Sequence, residues 1–305
     1  MAHTATSTNG PAQAEYGRPA SIEDASNRYF VHPISDQVVK VALALRLSAN
    51  AISLIGLFAG LLAAVFYSFL PSPLYVLGGF LSMLAWHVFD GADGKVARAT
   101  GTSSAFGRIL DGICDHLVFG AVYIAFAFYL TGTGSPVSIW WLVIGAGLSH
   151  AVQAAGYEER RQKYQRRHAG VLRDNVQSTL LEVKGRRSFW AGLYDKVQKL
   201  VSGGDYGLDD ALAGLRAVPG QAQAVTALIS RTAPMVKSWG LLNANNRTAL
   251  IAVFALLGQP ALYFLFEIVV FNLVMMVLML AEWRQEKALA ALAREALTHE
   301  GAARS

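Results

Sequence analysis

Six stretches of the chain are apolar for long enough to suggest helices immersed in lipid. They run Ser48–Phe69, Leu74–Phe89, Gly107–Leu130, Val137–Tyr157, Arg247–Leu257 with the Trp239–Leu242 turn ahead of it, and Ala261–Trp283. A hydrocarbon core asks for about 20 mostly apolar residues per helix. The fifth stretch is the least regular, because Asn243, Asn245 and Asn246 interrupt its start. A shorter helical pattern, Ser35–Leu47, follows Pro33 and is amphipathic, as expected of a helix lying on a membrane surface. The pattern predicts an all-α integral membrane protein with six transmembrane helices plus cytoplasmic amphipathic helices.

The polar segments complete the division. Residues 1–20 are rich in Gly, Pro, Ser and Thr, lack the apolar core of a signal peptide, and read as a disordered tail. Residues 21–47 form a juxtamembrane segment and residues 48–157 carry the first four spans. Residues 158–238 form a cytoplasmic basic insertion, with 14 Lys or Arg against 8 Asp or Glu. Residues 239–284 carry the last two spans, and 285–305 form a cytoplasmic tail. Within the insertion, Phe189, Trp190, Leu193, Tyr194, Val197, Leu200 and Val201 recur at helical spacing with Lys196 and Lys199 between them. That pattern suits either a helix in the headgroup layer or a small helical unit packed on itself.

Composition agrees with a lipid environment. Apolar residues make up 53% of the chain and charged residues only 15%, against roughly 25% charged in soluble domains. This excludes a disordered protein and argues against an ordinary soluble enzyme. The lone Cys114 excludes an internal disulfide. The net charge of +5 is unevenly placed: Leu70–Pro73, Thr131–Pro136 and Gly258–Pro260 carry no Lys or Arg. The basic residues lie on the opposite side, which places both termini and the long segments in the cytoplasm, in a cell (inner) membrane protein. No nucleic-acid partner is expected.

The informative segment runs from Asp90 to Asp115. Asp90 and Asp93 are three apart, and Asp111 and Asp115 four apart, so each pair shares one helical face. The connection between them is short and polar, which makes the two helices antiparallel neighbours with both acidic faces turned to one cleft. Acidic groups at a membrane edge are costly and usually functional. Lys95 and Arg98 could offset part of the charge; two divalent cations would offset all of it, and oxygen-rich sites suit Mg²⁺ or Mn²⁺. A two-metal site also suits phosphoryl transfer. Gly94, Ala97 and Gly107 leave room for a flat group, and Arg98 offers a fork of donors to phosphate. Helix packing explains each glycine alone, and a structural polar network or an ion path is the competing reading of the set.

These residues read D90-x2-D93-G94-x2-A97-R98-x8-G107-x3-D111-x3-D115. The pattern resembles the signature of the CDP-alcohol phosphotransferases, also called the CDP-alcohol phosphatidyltransferase family. The resemblance implies transfer of a substituted phosphate from a CDP-linked donor, such as CDP-diacylglycerol, to an alcohol or polyol-phosphate acceptor, with release of CMP, as a step of phospholipid biosynthesis. It implies Asp90, Asp93, Asp111 and Asp115 as ligands of two Mg²⁺ or Mn²⁺ ions, with Asp111 and Asp115 at the catalytic centre and Asp115 as general base. It implies Asp90, Gly94, Ala97, Arg98, Gly107 and Asp111 as the cytidine nucleotide site, and a homodimer. Ser48-Ala49-Asn50-Ala51-Ile52-Ser53 resembles the family's Pro-Asn-x-x-Thr start of helix one, with Ala49 for Pro and Ser53 for Thr.

Acceptor recognition has to come from elsewhere. Arg160, Arg161 and Lys163 after the fourth span and Arg247 at the fifth are candidates to bind a phosphorylated acceptor; positive-inside flanking also accounts for them. Asp205, Asp209 and Asp210 form a second acidic group, which keeps a UbiA-type prenyltransferase as an alternative, with a cation transporter behind it. A turn and a helix N-terminus explain that group equally. His116 and Cys114 read as packing or surface residues, and Gly56 with Gly60 as a helix contact.

Overall fold

The computed structural model describes residues 20–170 and 206–304, and they are helical almost throughout. The amphipathic pattern at 189–201 and Asp205 lie outside the described residues. A turn at Ala20–Ile22 and a π-helical turn at Asn27–Val31 lead into α1 (His32–Ala44). Then come α2 (Ala49–Tyr67), α3 (Pro73–Ala99), α4 (Ala105–Gly132) and α5 (Ile139–Ala169). After residue 206 follow α6 (Leu208–Ala217), α7 (Ala222–Ser230), α8 (Ala233–Trp239), α9 (Ala244–Leu256) and α10 (Pro260–Arg304).

Local chemistry sets these boundaries. Ser48 caps α2 by accepting from the Ala51 N–H at 3.2 Å, and Ser104 caps α4 from Gly107 at 3.0 Å. Pro73 begins α3, where its missing N–H costs nothing. Gly170, in a left-handed conformation, ends α5.

Among the described residues five helices are long and apolar enough to cross a membrane: Ala49–Tyr67, Pro73–Ala99, Leu110–Gly132, Ile139–Ala169 and Pro260–Thr298. This corrects the expectation of six. The expected fifth span is α9, whose 13 residues rise only about 20 Å, short of a core about 30 Å thick. Asn243 starts it by accepting from the Asn246 N–H at 2.8 Å, and the positive-φ Gly258 follows its end. Other helices exceed expectation. α3 continues past Phe89 to carry Asp90 and Asp93, and α5 continues twelve residues past Tyr157, to Ala169. α10, with 45 residues, extends about 67 Å, more than twice the hydrocarbon thickness.

The membrane core is built of Tyr67, Met83, Trp86, Val118, Val122, Phe126, Ile251, Tyr263 and Phe264 with their neighbours. Apolar side chains such as Phe58, Val65, Phe128, Leu148 and Val269 face outward, as a lipid-facing surface requires. The α2–α4 contact depends on Gly60: a Cβ there would overlap the Val118 side chain. Gly56 does the same for α2 and α3, where a Cβ would sit 3.0 Å from Cβ of Phe89. A second core joins α6, α7 and α8, a helical appendage, to the far ends of α5 and α10, through Leu208, Leu212, Leu215, Ile229, Tyr164 and Leu289.

Candidate active site

Two antiparallel helices and the short turn between them assemble the acidic cluster. α3 supplies Asp90 and Asp93 on one face, about two helical turns inside its C-terminal end. The left-handed Gly101 turns the chain, and Ser104 restarts it as α4, which brings Asp111 and Asp115 alongside. Asp90, Asp93 and Asp111 each place one carboxylate oxygen within 4.8 Å of the others. Asp93 is buried, Asp90, Asp111 and Asp115 half-buried. Asp115 stands beside this trio, and its Oδ1 is buried without a hydrogen-bond partner.

The cluster has little internal compensation. Among the described residues none of the four carboxylates forms an ion pair with Lys or Arg. Lys95, a candidate counter-charge, turns instead to α1, donating to Asp36 at 2.7 Å and to the His32 carbonyl at 3.5 Å. Arg98 is exposed and lies over Gly94, where an added Cβ would sit 3.4 Å from its Nη1. Grouped carboxylates at a membrane edge with one oxygen left orphaned are a donor set for a hard divalent cation. The trio of Asp90, Asp93 and Asp111 can hold one.

Asp93 is the best anchored of the four. Ser53 of α2 donates to its Oδ2 at 2.5 Å, and the Gly94 N–H donates to its Oδ1. Ser53 belongs to the stretch that departs from the family pattern, and the sequence reading gave it no role. The signal was its position, four residues and one turn after Ala49, on the α2 face that Gly56 brings close to α3. Near Gly107 the closest outside atoms to an added Cβ are Ser104 Oγ at 3.4 Å and Asn50 Oδ1 at 3.8 Å, so Asn50 also borders the cleft.

The basic candidates are not gathered into one open patch. Arg160, 2% exposed, donates to Glu282 at 2.8 Å and lies 4.0 Å from the Trp239 ring centroid. Lys163 sits between Glu286 at 2.9 Å and Glu282 at 3.8 Å. Arg247 is fully buried, paired with Glu267 and donating to Gln153 at 2.8 Å. Arg161 pairs with Glu158 at 3.0 Å and lines a small pocket with Asp24. Sequence reasoning also missed the segment before α1. There Asp24 accepts from the Tyr157 hydroxyl at 2.6 Å, and Asn27 accepts from Asn245 at 2.7 Å.

The remaining candidates take structural places. His116 is exposed and bonds its own helix at the Gly112 carbonyl, 2.6 Å away, and Cys114 is buried. His87 shares a 2.8 Å hydrogen bond with Thr248, tying α3 to α9. Asp209 is held by Arg167 at 2.6 Å at the start of α6. It serves the appendage as an ion-pair partner.

Fold and site together define a multi-pass, all-α membrane protein with an acidic centre for a divalent cation between two antiparallel helices. Residues 46–174 match the family model of CDP-alcohol phosphatidyltransferases. The chain is 30% identical over 122 residues to a phosphatidylinositol phosphate synthase of Corynebacterium glutamicum, covering 40% of this chain and 49% of that one. It is 26% identical over 121 residues to the same-named protein of Mycobacteroides abscessus, covering 40% and 48%. It is 32% identical over 107 residues to a CDP-diacylglycerol–serine O-phosphatidyltransferase of Helicobacter pylori, covering 33% and 44%. The chain thus spans a little under half the length of these relatives.

Proposed function

We propose that this protein transfers a substituted phosphate from a CDP-linked donor to an alcohol, releasing CMP, as a step of phospholipid synthesis. In the reaction the acceptor oxygen bonds to the distal phosphorus of the diphosphate. The bond from that phosphorus to the bridging oxygen breaks, and CMP leaves with that oxygen. The observation that carries this reading is the convergence of Asp90, Asp93 and Asp111 beside the orphaned carboxylate oxygen of Asp115.

Asp90, Asp93 and Asp111 hold the metal centre, and Asp115 completes it. Two Mg²⁺ or Mn²⁺ ions there would neutralise the diphosphate and the charge growing on the departing CMP. Asp115 takes the proton from the acceptor hydroxyl; its unpartnered Oδ1 is the free acceptor that role needs. Gly94, Ala97 and Gly107 form the floor under the cytidine, bounded by Asp90 and Asp111, and Arg98 binds a phosphate. On the acceptor side Arg160, Lys163 and Arg247 are taken up by buried glutamates, and Arg161 pairs with the more exposed Glu158.

The names of the relatives set the range of acceptors considered: inositol-type in two cases, serine in the third. Positive-inside flanks support a cytoplasm-facing site, cytoplasmic termini and an inner-membrane location. The exposed apolar row of Tyr29, Phe30, Ile34, Val41 and Leu45 supports seating α1 on the membrane surface. A homodimer follows from the family resemblance.

The test is CMP release by the purified protein in vesicles containing CDP-diacylglycerol, with glycerol, serine, inositol and their phosphates as acceptors. Release should require Mg²⁺ or Mn²⁺, stop with a chelator, and vanish in Asp111→Ala. Release of pyrophosphate from a prenyl diphosphate, without CMP chemistry, would overturn the reading.

A further inference from the structure

Asp90 and Asp93 of α3 face Asp111 of α4 with carboxylate oxygens within 4.8 Å of one another. Among the described residues no Lys or Arg pairs with them. Like charges at that range repel, so without a cation α3 is pressed away from α4. Holding the acids together therefore requires support behind α3.

The helix behind α3 is α1. Val88, Gly91, Ala92 and Lys95 recur at three- and four-residue spacing on the face of α3 turned away from Asp90 and Asp93. Each of them meets the α1 segment. Ser35, fully buried, donates its hydroxyl to the Val88 carbonyl at 2.7 Å. Gly91 lies against the same hydroxyl: an added Cβ would sit 2.8 Å from Ser35 Oγ, 3.4 Å from Val31 Cγ1 and 3.7 Å from Ser35 Cβ. Ala92 and Val96 pack with Ala42, Val38 and Val39. Lys95 donates to Asp36 at 2.7 Å and to the His32 carbonyl at 3.5 Å. The fastening thus runs along the same stretch of α3 that carries the two metal-binding acids. Gly91 follows Asp90 directly, yet it falls at an unspecified position of the acidic pattern. Glycine weakens a helix interior, and here its missing side chain is what lets α1 lie so close. On its outer side α1 presents Ile34, Val41 and Leu45, part of the row proposed above to rest on the membrane surface. A seat there gives the support a fixed base.

We infer that α1 is a brace for the acidic centre, in which Ser35 and Gly91 are positioning residues that hold Asp90 and Asp93 at the spacing from Asp111 that a divalent cation needs. The inference rests on the proposed metal centre and adds residues that act on it from behind, without touching the ion.

The test is Mn²⁺ binding by the full-length protein in lipid nanodiscs, measured by calorimetric titration, beside the Mn²⁺ dependence of CMP release. Gly91→Ala places a methyl group against the Ser35 hydroxyl, so either the bond to Val88 breaks or α3 moves off α1. Its Mn²⁺ dissociation constant should rise about tenfold, the lower end of what groups orienting a metal ligand contribute. Adding Ser35→Ala removes the hydroxyl and leaves the two methyl carbons 3.7 Å apart, an ordinary contact. The double variant should therefore bind Mn²⁺ as Ser35→Ala alone does, and more tightly than Gly91→Ala, which is the non-additivity expected of touching residues. The bulkier Gly91→Val should bind Mn²⁺ more weakly still; where it does not fold, Gly91→Ala and its rescue decide alone. A lower thermal midpoint in Gly91→Ala with unchanged Mn²⁺ affinity makes the contact merely structural and overturns the inference. A double variant no better than Gly91→Ala overturns it as well. Wild-type protein that binds no Mn²⁺ overturns the metal centre, and the inference with it. Wild-type protein that binds Mn²⁺ but releases no CMP removes the phosphotransfer reading and leaves the brace to be decided by the binding titrations.

Discussion

At the scale of single residues, the site depends on how a few carboxylates are held. Asp93 is fixed from two directions, by Ser53 and by the backbone of Gly94, while Asp115 keeps one oxygen free. That asymmetry suits a ligand beside a base. A group that orients a metal ligand commonly contributes about 10- to 100-fold in metal affinity or activity. Ser53→Ala should therefore raise the Mn²⁺ concentration for half-maximal activity about tenfold, and Ser53→Thr should restore it. Equal metal titrations for Ser53→Ala and wild type would remove Ser53 from the site. Ser53 was hard to see in the sequence because it is one hydroxyl among the small residues of an apolar helix. Only the close approach of α2 and α3 makes it a donor to Asp93. The carboxylates were legible because acids at a membrane edge stand out, and their spacing of three and four fixes a common face.

At the scale of helices, the sequence located the spans well wherever lipid alone decides length. α2, α3, α4, α5 and α10 all cover stretches expected from hydropathy. The expected fifth span failed on length, since the polar Asn243 and the glycine at 258 bound a helix of 13 residues. The extent of α5 and α10 was not legible because, past the membrane, they are stabilised by pairing with each other across Arg160–Glu282 and Arg167–Glu286, and pairing does not show in a hydropathy pattern. The α2–α4 contact gives a direct test. Gly60→Val should destabilise the protein by about 1–3 kcal/mol through overpacking, read as a lower thermal midpoint in detergent, and Val118→Ala should recover part of the loss. An unchanged midpoint would mean that α2 and α4 are not packed at this point.

The appendage carries a pH signature. Burial alone would raise the Asp209 carboxyl, but the Arg167 guanidinium at 2.6 Å, with Lys163 and Arg166 nearby, holds it below the ordinary carboxylate range. A carboxyl lowered in the folded state adds stability that is present above its unfolded value of about 3.9 and lost as pH falls through its folded value. The thermal midpoint should fall on acidification below about pH 4, and Asp209→Asn should lower the midpoint at neutral pH while weakening that acid-side fall. Superimposable curves for the two proteins would show that the pair contributes no net stability.

At the scale of the whole molecule, a lipid-facing bundle and a helical appendage share two long helices, α5 and α10, with the acidic centre on the neighbouring α3–α4 pair. In the proposed reaction, this arrangement would let a membrane-borne donor and an acceptor from water meet at the acidic centre. The central claim is that the four carboxylates drive release of CMP, with Asp115 as the base and the other three as the metal centre. The most direct measurement compares wild type with Asp115→Asn in two assays at once, CMP release from CDP-diacylglycerol and Mn²⁺ binding. Removing a general base costs about 10²–10⁴-fold in rate. CMP release should fall by at least that lower figure while Mn²⁺ remains bound through Asp90, Asp93 and Asp111. Wild-type rates of CMP release in Asp115→Asn would contradict the account.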